Sequence, residues 1–455
     1  MSSSVSAGLQ AAIKGHVFSP GDPGFSEAAR VFNTRFDDVT PTAVARPING
    51  PDVRDGIRFT TEHGVSVRAR SGGHSYAGYS TLADGVVLDL RKLDWINVDT
   101  TAGTATIGAG VQLIDVYAGL AQHGLTLPGG SCPSVGIAGV TLGGGFGLAS
   151  RYFGLTIDSL LAVEIVTADG QLRTVDHRSD EDLLWALKGG GGGNFGIVTE
   201  FVFKAHPMPS SSTVFEISWP WTSADQAIAA WQGWAPHATD KVTSVLHLDS
   251  PGHISTEGQY LGALGDIPSL VKTLMDVPGA SMIDALEKPY LQTQLRLAGC
   301  SQLTVEQCHT TGAGPGGVKL REAFNAKSDY VLTPLSNQGR AALIAAAEAP
   351  GSGSLLCDSY GGAVGRVEPS ATAFVHRRPL FCIQYYGDGD GTGWIDQAWR
   401  KMRSHVSGGA YQNYMDASLN GWEQAYYGQN LNRLQATRQR IDPHHYFNFP
   451  QAIGR

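Results

Sequence analysis

The stretch "RARSGGHSYAGYS", Arg68 to Ser80, closes the apolar segment "HGVSVRA" with two adjacent glycines, a histidine and two tyrosines in one turn. Adjacent small residues let backbone N–H groups converge into a nest for an anionic group such as a pyrophosphate. A turn built only for turning has no use for His74. A second glycine-rich loop, "GGSCPSVGIAGVTLGGGFG" (129–147), carries Cys132 in a similar setting. An imidazole nitrogen and a thiolate are both nucleophiles able to bond an electron-poor aromatic cofactor. The alternative for each loop is a tight turn holding an incidental side chain.

Around these loops the chain reads as an ordinary large globular protein. It has 455 residues, 42% hydrophobic and 16% charged, which at roughly 150 residues per domain suggests two or three units. The formal net charge of -8 and the lack of a Lys/Arg run exclude a nucleic-acid footprint. The first residues, "MSSSVSAGLQAAIKGHVFSPGDPG", lack a basic segment followed by an apolar one, and no apolar run reaches membrane-spanning length. A cytoplasmic protein without membrane association is the expectation. Of the five cysteines, Cys300 and Cys308 are close enough in sequence to bridge, but an odd count without a secretion signal favours reduced thiols. No CxxC pair exists, and no metal site is expected.

Residues 40–205 alternate short β-rich runs with helical patterns. "TAVARPI", "VSVRAR" and "GVVLDL" read as strands, and "GPDVRDGIRFTTEHG" as a helix with Val53, Ile57 and Phe59 on its apolar face. "INVDTTAGTATIGAG" and "LLAVEIVTADGQLRTV" read as hairpins, the second turning at Asp169-Gly170. "SDEDLLWALKGG" predicts a helix capped by Ser179. From about 206 the strands and helices lengthen, and the tail ends in a helix and an aromatic terminus too short to fold alone. The expected class is α+β with mixed connections. Gly191, Gly193 and Gly196 match GxGxxG, but they follow a helical pattern and precede a strand, the reverse of a Rossmann unit.

The ordered pieces "RARSGGHSYAGYS", "GVVLDLRKL", "GGSCPSVGIAGVTLGGGFG", "GLTIDSLLAVEIVTADG", "EDLLWALKGGGGGNFGIVTEF", "YQNYMD" and "DPHHYFNFPQAI" resemble the berberine bridge enzyme-like family of FAD-linked oxidoreductases of the vanillyl-alcohol oxidase type. The resemblance implies a two-part FAD-binding domain, residues 1–205 and 411–455, around an inserted substrate domain at 206–410. It implies FAD bonded at its 8α carbon to His74 and at C6 to Cys132. It also implies further cofactor contacts at Arg70, Ser71, Gly72, Gly73, Ser75, Val135, Gly136, Gly139, Gly145 and Ile197. On the substrate side it points to Tyr411, first tyrosine of "YQNY", as the base, and to Tyr76 in the same cavity. Gln384 stands where berberine bridge enzyme has its carboxylate base, so that route is closed to this chain. Cys382 replaces a lysine of plant alcohol-oxidising relatives, and Phe146 a tyrosine common in the family. Val135 resembles the gatekeeper of members that react with oxygen.

The implied activity is oxidation of a bulky alcohol or phenolic metabolite, with O₂ reduced to H₂O₂. The competing readings are an oligosaccharide oxidase acting at C1 and a catalytically silent flavin-carrying binding protein.

Overall fold

The computed structural model describes residues 2–314, 316–389 and 392–455. Three sheets carry the architecture. The first is four-stranded, with Val86–Asp89 between Ala43–Arg46 and Val67–Arg70 in parallel pairing and His16–Phe18 antiparallel at one edge. Its central strand is buried along its whole length, as expected of a short apolar run inside a parallel sheet. The helix Gly50–Glu62 lies against it through Val53 and Ile57, capped by Asn49, whose side chain accepts from Asp52 N. The second sheet is a five-stranded antiparallel one containing both expected hairpins. Mixed parallel and antiparallel pairing confirms the α+β reading.

The third sheet is seven-stranded and antiparallel throughout. Its order is Ser281–Pro289, Ser211–Trp219, His253–Tyr260, Val242–Asp249, Gly353–Ser359, Phe381–Asp388 and Phe324–Val331. The helices Ala224–Trp234, Asn337–Ala347 and Thr392–Met402 pack on one face around Trp231, Leu343 and Trp394. The opposite face looks toward the glycine-rich loops. Arg151, 1% exposed, joins the two regions by donating to the carbonyls of Pro236, Ala238, Thr239, Val242 and Tyr360. The tail helix Leu431–Ile441 returns to the first region, where buried Arg438 donates to the backbone oxygens of Asn194 and Phe447.

Two sequence expectations need correction. Cys300 and Cys308 form a disulfide: the helix Tyr290–Leu297 ends in a tight turn that brings their α-carbons to 5.7 Å. The helix over 181–187 is capped by Asp180, whose carboxylate accepts from Leu183 N, while the Ser179 hydroxyl accepts from Asp176 N in the preceding turn. The N-terminus, read only for targeting, forms a helix, Ser2–Ala12, that packs on Gly50–Glu62. Beyond the disulfide, His309 pairs with Asp115 at 2.9 Å and Arg321 donates to Val31 O at 2.7 Å, both contacts reaching the first region. Among the described residues no helix is long and apolar enough to cross a membrane.

Candidate active site

Between the glycine-rich loops and the open face of the seven-stranded sheet lies a cavity of about 440 Å³. Its lining brings together most of the predicted residues: Ser71, Gly72, Gly73, His74, Ser75, Tyr76, Cys132, Val135, Gly136, Gly139, Ile197, Gln384 and Tyr411. The two loops are braced against each other. A side chain at Gly72 would collide with Gly136 N, and one at Gly136 would collide with the Ser71 hydroxyl. Glycine is therefore required by the close approach itself. The Ser71 hydroxyl donates to Ala109 O at 2.6 Å, fixing the first loop to the end of the inner strand Thr104–Gly108 of the second sheet.

His74 crosses this seam. Its Nε2 lies 2.9 Å from the Ser134 hydroxyl, and its ring stacks on Phe32 at 4.0 Å between centroids. Burial pushes its pKa down to about 3, so the imidazole is neutral and keeps a nucleophilic lone pair at pH 7. Cys132 is a free thiol accessible from the cavity. The enclosing walls raise its pKa, and Lys319 and the Ser134 hydrogen bond pull in the opposite direction.

Two predicted cofactor residues do not line the cavity. Arg70 ends the strand Val67–Arg70 with its side chain on the other side, where the guanidinium donates to the carbonyls of Ala28, Ala29 and Arg30 and pairs with Asp89 at 3.1 Å. It is a buried structural ion pair. Gly145 lies behind the wall, and its N–H donates to the Tyr411 hydroxyl at 2.9 Å.

The residues present fit an extended flavin dinucleotide. Tyr79, Ser80 and Gln412 line the cavity, and their Oη, Oγ and Oε1 atoms are buried with no hydrogen-bond partner among the described residues. Buried polar atoms left unpaired cost stability unless a ligand satisfies them. Gly191, Gly192 and Gly193 supply a further stretch of bare backbone, so the motif that fails as a Rossmann signature still faces the cavity. Phe447 and Phe449 of the tail close this end, with the Arg68 guanidinium 5.9 Å from the Phe449 ring centroid.

The sheet contributes the other wall through Val245, His247, Glu257, Leu356, Asp358 and Gln384. Tyr76, Tyr411 and Tyr414 stand in front of it. Gln384 Nε2 donates to the Tyr76 hydroxyl at 3.0 Å. The Tyr411 oxygen accepts from Gly145 N at 2.9 Å, Phe146 N at 3.3 Å and Asn413 Nδ2 at 2.9 Å. Burial nevertheless pushes its pKa up to about 12, against the pull of those donors. Tyr414 donates to Asp358 Oδ2 at 2.9 Å. Burial lifts the Asp358 carboxyl to about 7, with the Tyr414 hydrogen bond opposing. Sequence reasoning missed Asp358 and the role of Tyr414. Phe146 stacks on Tyr360 at 5.0 Å, and Cys382 is fully buried among aromatic side chains.

A two-region α+β fold, a nucleophile on each of two interlocked glycine loops and a cavity with unpaired polar atoms define a flavin-binding oxidoreductase. Comparison with known proteins agrees. Residues 41–176 match the FAD binding domain model, and residues 410–454 match the model described as berberine and berberine like. The chain is 33% identical to the FAD-linked oxidoreductase YgaK of Bacillus subtilis, covering 97% of each chain. It is 30% identical to berberine bridge enzyme-like Cyn d 4 of Cynodon dactylon, covering 96% of this chain and 90% of that one. The solved structure of Physcomitrella patens BBE-like 1 superposes with a TM-score of 0.92 at 32% identity, over 99% of this chain and 98% of the other. The chain belongs to the berberine bridge enzyme-like family of FAD-linked oxidoreductases.

Proposed function

We propose that the protein carries FAD on two covalent bonds, from His74 and Cys132, and oxidises an alcohol carbon of a bulky alcohol or phenolic metabolite, with O₂ as electron acceptor and H₂O₂ as product. The reading rests on the Tyr414–Asp358 pair at the cavity wall, 2.9 Å apart. Bound there, the flavin supplies the two-electron acceptor. The chain supplies the proton path.

Removing a hydride from a carbinol carbon requires a base for the hydroxyl proton. Tyr411, the base expected from sequence, accepts from three N–H donors, which occupy its lone pairs and leave it poorly placed to receive another proton. It is better suited to hold the glycine wall and the "YQNY" turn in register. Among the described residues nothing donates to the Tyr414 hydroxyl, which already directs its proton at Asp358. It accepts the substrate proton as it passes its own to the carboxylate, whose pKa near 7 matches a base working at neutral pH. Tyr76, oriented by Gln384, lies against the same space, its ring stacked on Tyr414 at 5.8 Å. Val135 lines the cavity beside Cys132, where a small side chain leaves room for O₂.

An oligosaccharide substrate is the second reading, favoured by the polar sheet wall of His247, Glu257, Asp358 and Gln384. Peroxide release against a panel of alcohols, polycyclic phenols and sugars tests both. Turnover that needs an artificial acceptor and ignores O₂ refutes the oxidase reading.

A further inference from the structure

In an antiparallel sheet, directly opposed residues share a face, and here one cross-strand row runs straight into the cavity. Asp284 opposes Glu216, Glu216 opposes Glu257, Glu257 opposes Val245, and Val245 opposes Asp358. Four of these five positions are carboxylates. Like charges placed directly opposite destabilise a sheet, so the Glu216/Glu257 pair works against the fold. Among the described residues the row's one ion pair is at its outer end, where Arg296 pairs with Asp284. Glu257 lines the cavity half-buried and makes no hydrogen bond or ion pair among the described residues. Burial, followed by the Glu216 charge, raises its pKa; the Arg296 guanidinium pulls the other way without overcoming them, being paired with Asp284.

The neighbouring polar atoms repeat the pattern. Asp358 is 5% exposed, and among the described residues its side chain is hydrogen-bonded at Oδ2 alone. Gln384 is 6% exposed, its Nε2 is committed to Tyr76, and its Oε1 has no partner among the described residues. These are acceptors without donors. Among the described residues that line the cavity, the one Arg or Lys is Arg68, over Phe449 at the wall formed by the tail; Arg296, the cation acting on Glu257, lies outside the lining and is paired with Asp284. His247, beside Glu257 on the next row, is kept neutral by burial. A protonated amine presents donors and a positive charge together, which is the complement of this wall.

We propose that the substrate carries a basic nitrogen, bound as a cation by Glu257 at the sheet wall while its alcohol carbon lies at the Tyr414–Asp358 pair. This rests on the alcohol-oxidising reading above and adds the substrate class to it. Glu257 acts as a specificity residue and takes no part in the proton transfer.

The test uses the purified flavoprotein and two near-isosteres, 4-(aminomethyl)benzyl alcohol and 1,4-benzenedimethanol. Binding is followed anaerobically by the change in flavin absorption, and turnover separately by peroxide release. The amine is expected to bind at least tenfold more tightly than the diol. Glu257→Gln should abolish that preference while leaving diol binding unchanged, and Glu257→Asp should retain part of it. Equal binding of the two, failure of the amine to bind, or a Glu257→Gln loss shared equally by both ligands overturns the proposal. Peroxide from the diol without amine preference sinks this inference and leaves the oxidase standing. Amine preference without peroxide does the reverse.

Discussion

Replacing Asp358 by Asn separates catalysis from stability. The side chain is 5% exposed, and burial lifts its carboxyl to about 7, compared with an unfolded value of about 3.9. A carboxyl raised in the folded state favours its neutral form, so its effect on stability is neutral at low pH and turns unfavourable as pH climbs from about 4 through 7. At pH 8 the linkage amounts to about 4 kcal/mol, taking 1.36 kcal/mol per pKa unit over roughly three units. Asn has no charge to bury, and its side-chain oxygen still accepts from Tyr414. The variant should therefore gain stability relative to the parent as pH rises. For a chain this long, that is about 4 °C in Tm at pH 8, shrinking to almost nothing at pH 4.

Activity should move oppositely. Losing the final proton acceptor costs about 10²–10⁴ in kcat/KM. In the parent, kcat/KM should rise with pH through about 7 and then level, and this inflection should vanish in Asp358→Asn. Thermal unfolding and peroxide-coupled kinetics over pH 5–9 give both readouts. An Asn variant within threefold of the parent refutes the proton path. Lost activity without the alkaline gain in Tm refutes the claim that burial holds the carboxyl up.

Three further outcomes are expected. Acid-precipitated protein should stay yellow and weigh one FAD more than the chain, with His74→Ala and Cys132→Ala each leaving a single attachment; flavin that washes from the parent rules out covalent bonding. Arg151→Met leaves the carbonyls on which Arg151 bridges the two regions without their donor, and should lower stability by about 3 kcal/mol or more in calorimetric unfolding. Reducing Cys300–Cys308, which spans 8 residues, should cost roughly 2–3 kcal/mol by chain entropy, read as a lower denaturation midpoint in dithiothreitol.

The sequence shows the cofactor side of the site far more clearly than the substrate side. His74 and Cys132 are conspicuous because glycine clusters have few other uses, and the collision at Gly72 and Gly136 gives the physical reason for those clusters. Proximity in sequence misleads at Arg70, because alternation along a strand sends neighbouring side chains to opposite sides. Gly191 to Gly193 lack the strand-to-helix order of a Rossmann motif, yet bare backbone can face a ligand from a helix-to-strand turn as well. Asp358 is one acid in "GSLLCDS", and Glu257 one acid in "HISTEGQY". Nothing local distinguishes either of them. Each becomes part of a site only through the register that aligns Glu216, Glu257, Val245 and Asp358 across four strands.

That register also explains how one scaffold can keep its chemistry while changing its substrate. The nucleophiles sit on loops locked by close backbone approach, where almost any side chain added at Gly72 or Gly136 collides. The sheet wall proposed to meet the substrate consists of alternate residues on strands whose backbone pairing is indifferent to side-chain identity. A substitution at Glu257 alters what the cavity attracts without disturbing the ladder that holds Asp358 against Tyr414, since Val245 lies between them in the row. Glu257→Gln should therefore change which alcohols are bound while the pH inflection set by Asp358 stays in place. A shift of that inflection in Glu257→Gln would mean the two carboxylates titrate as a coupled pair, and specificity and catalysis would then be inseparable on this wall.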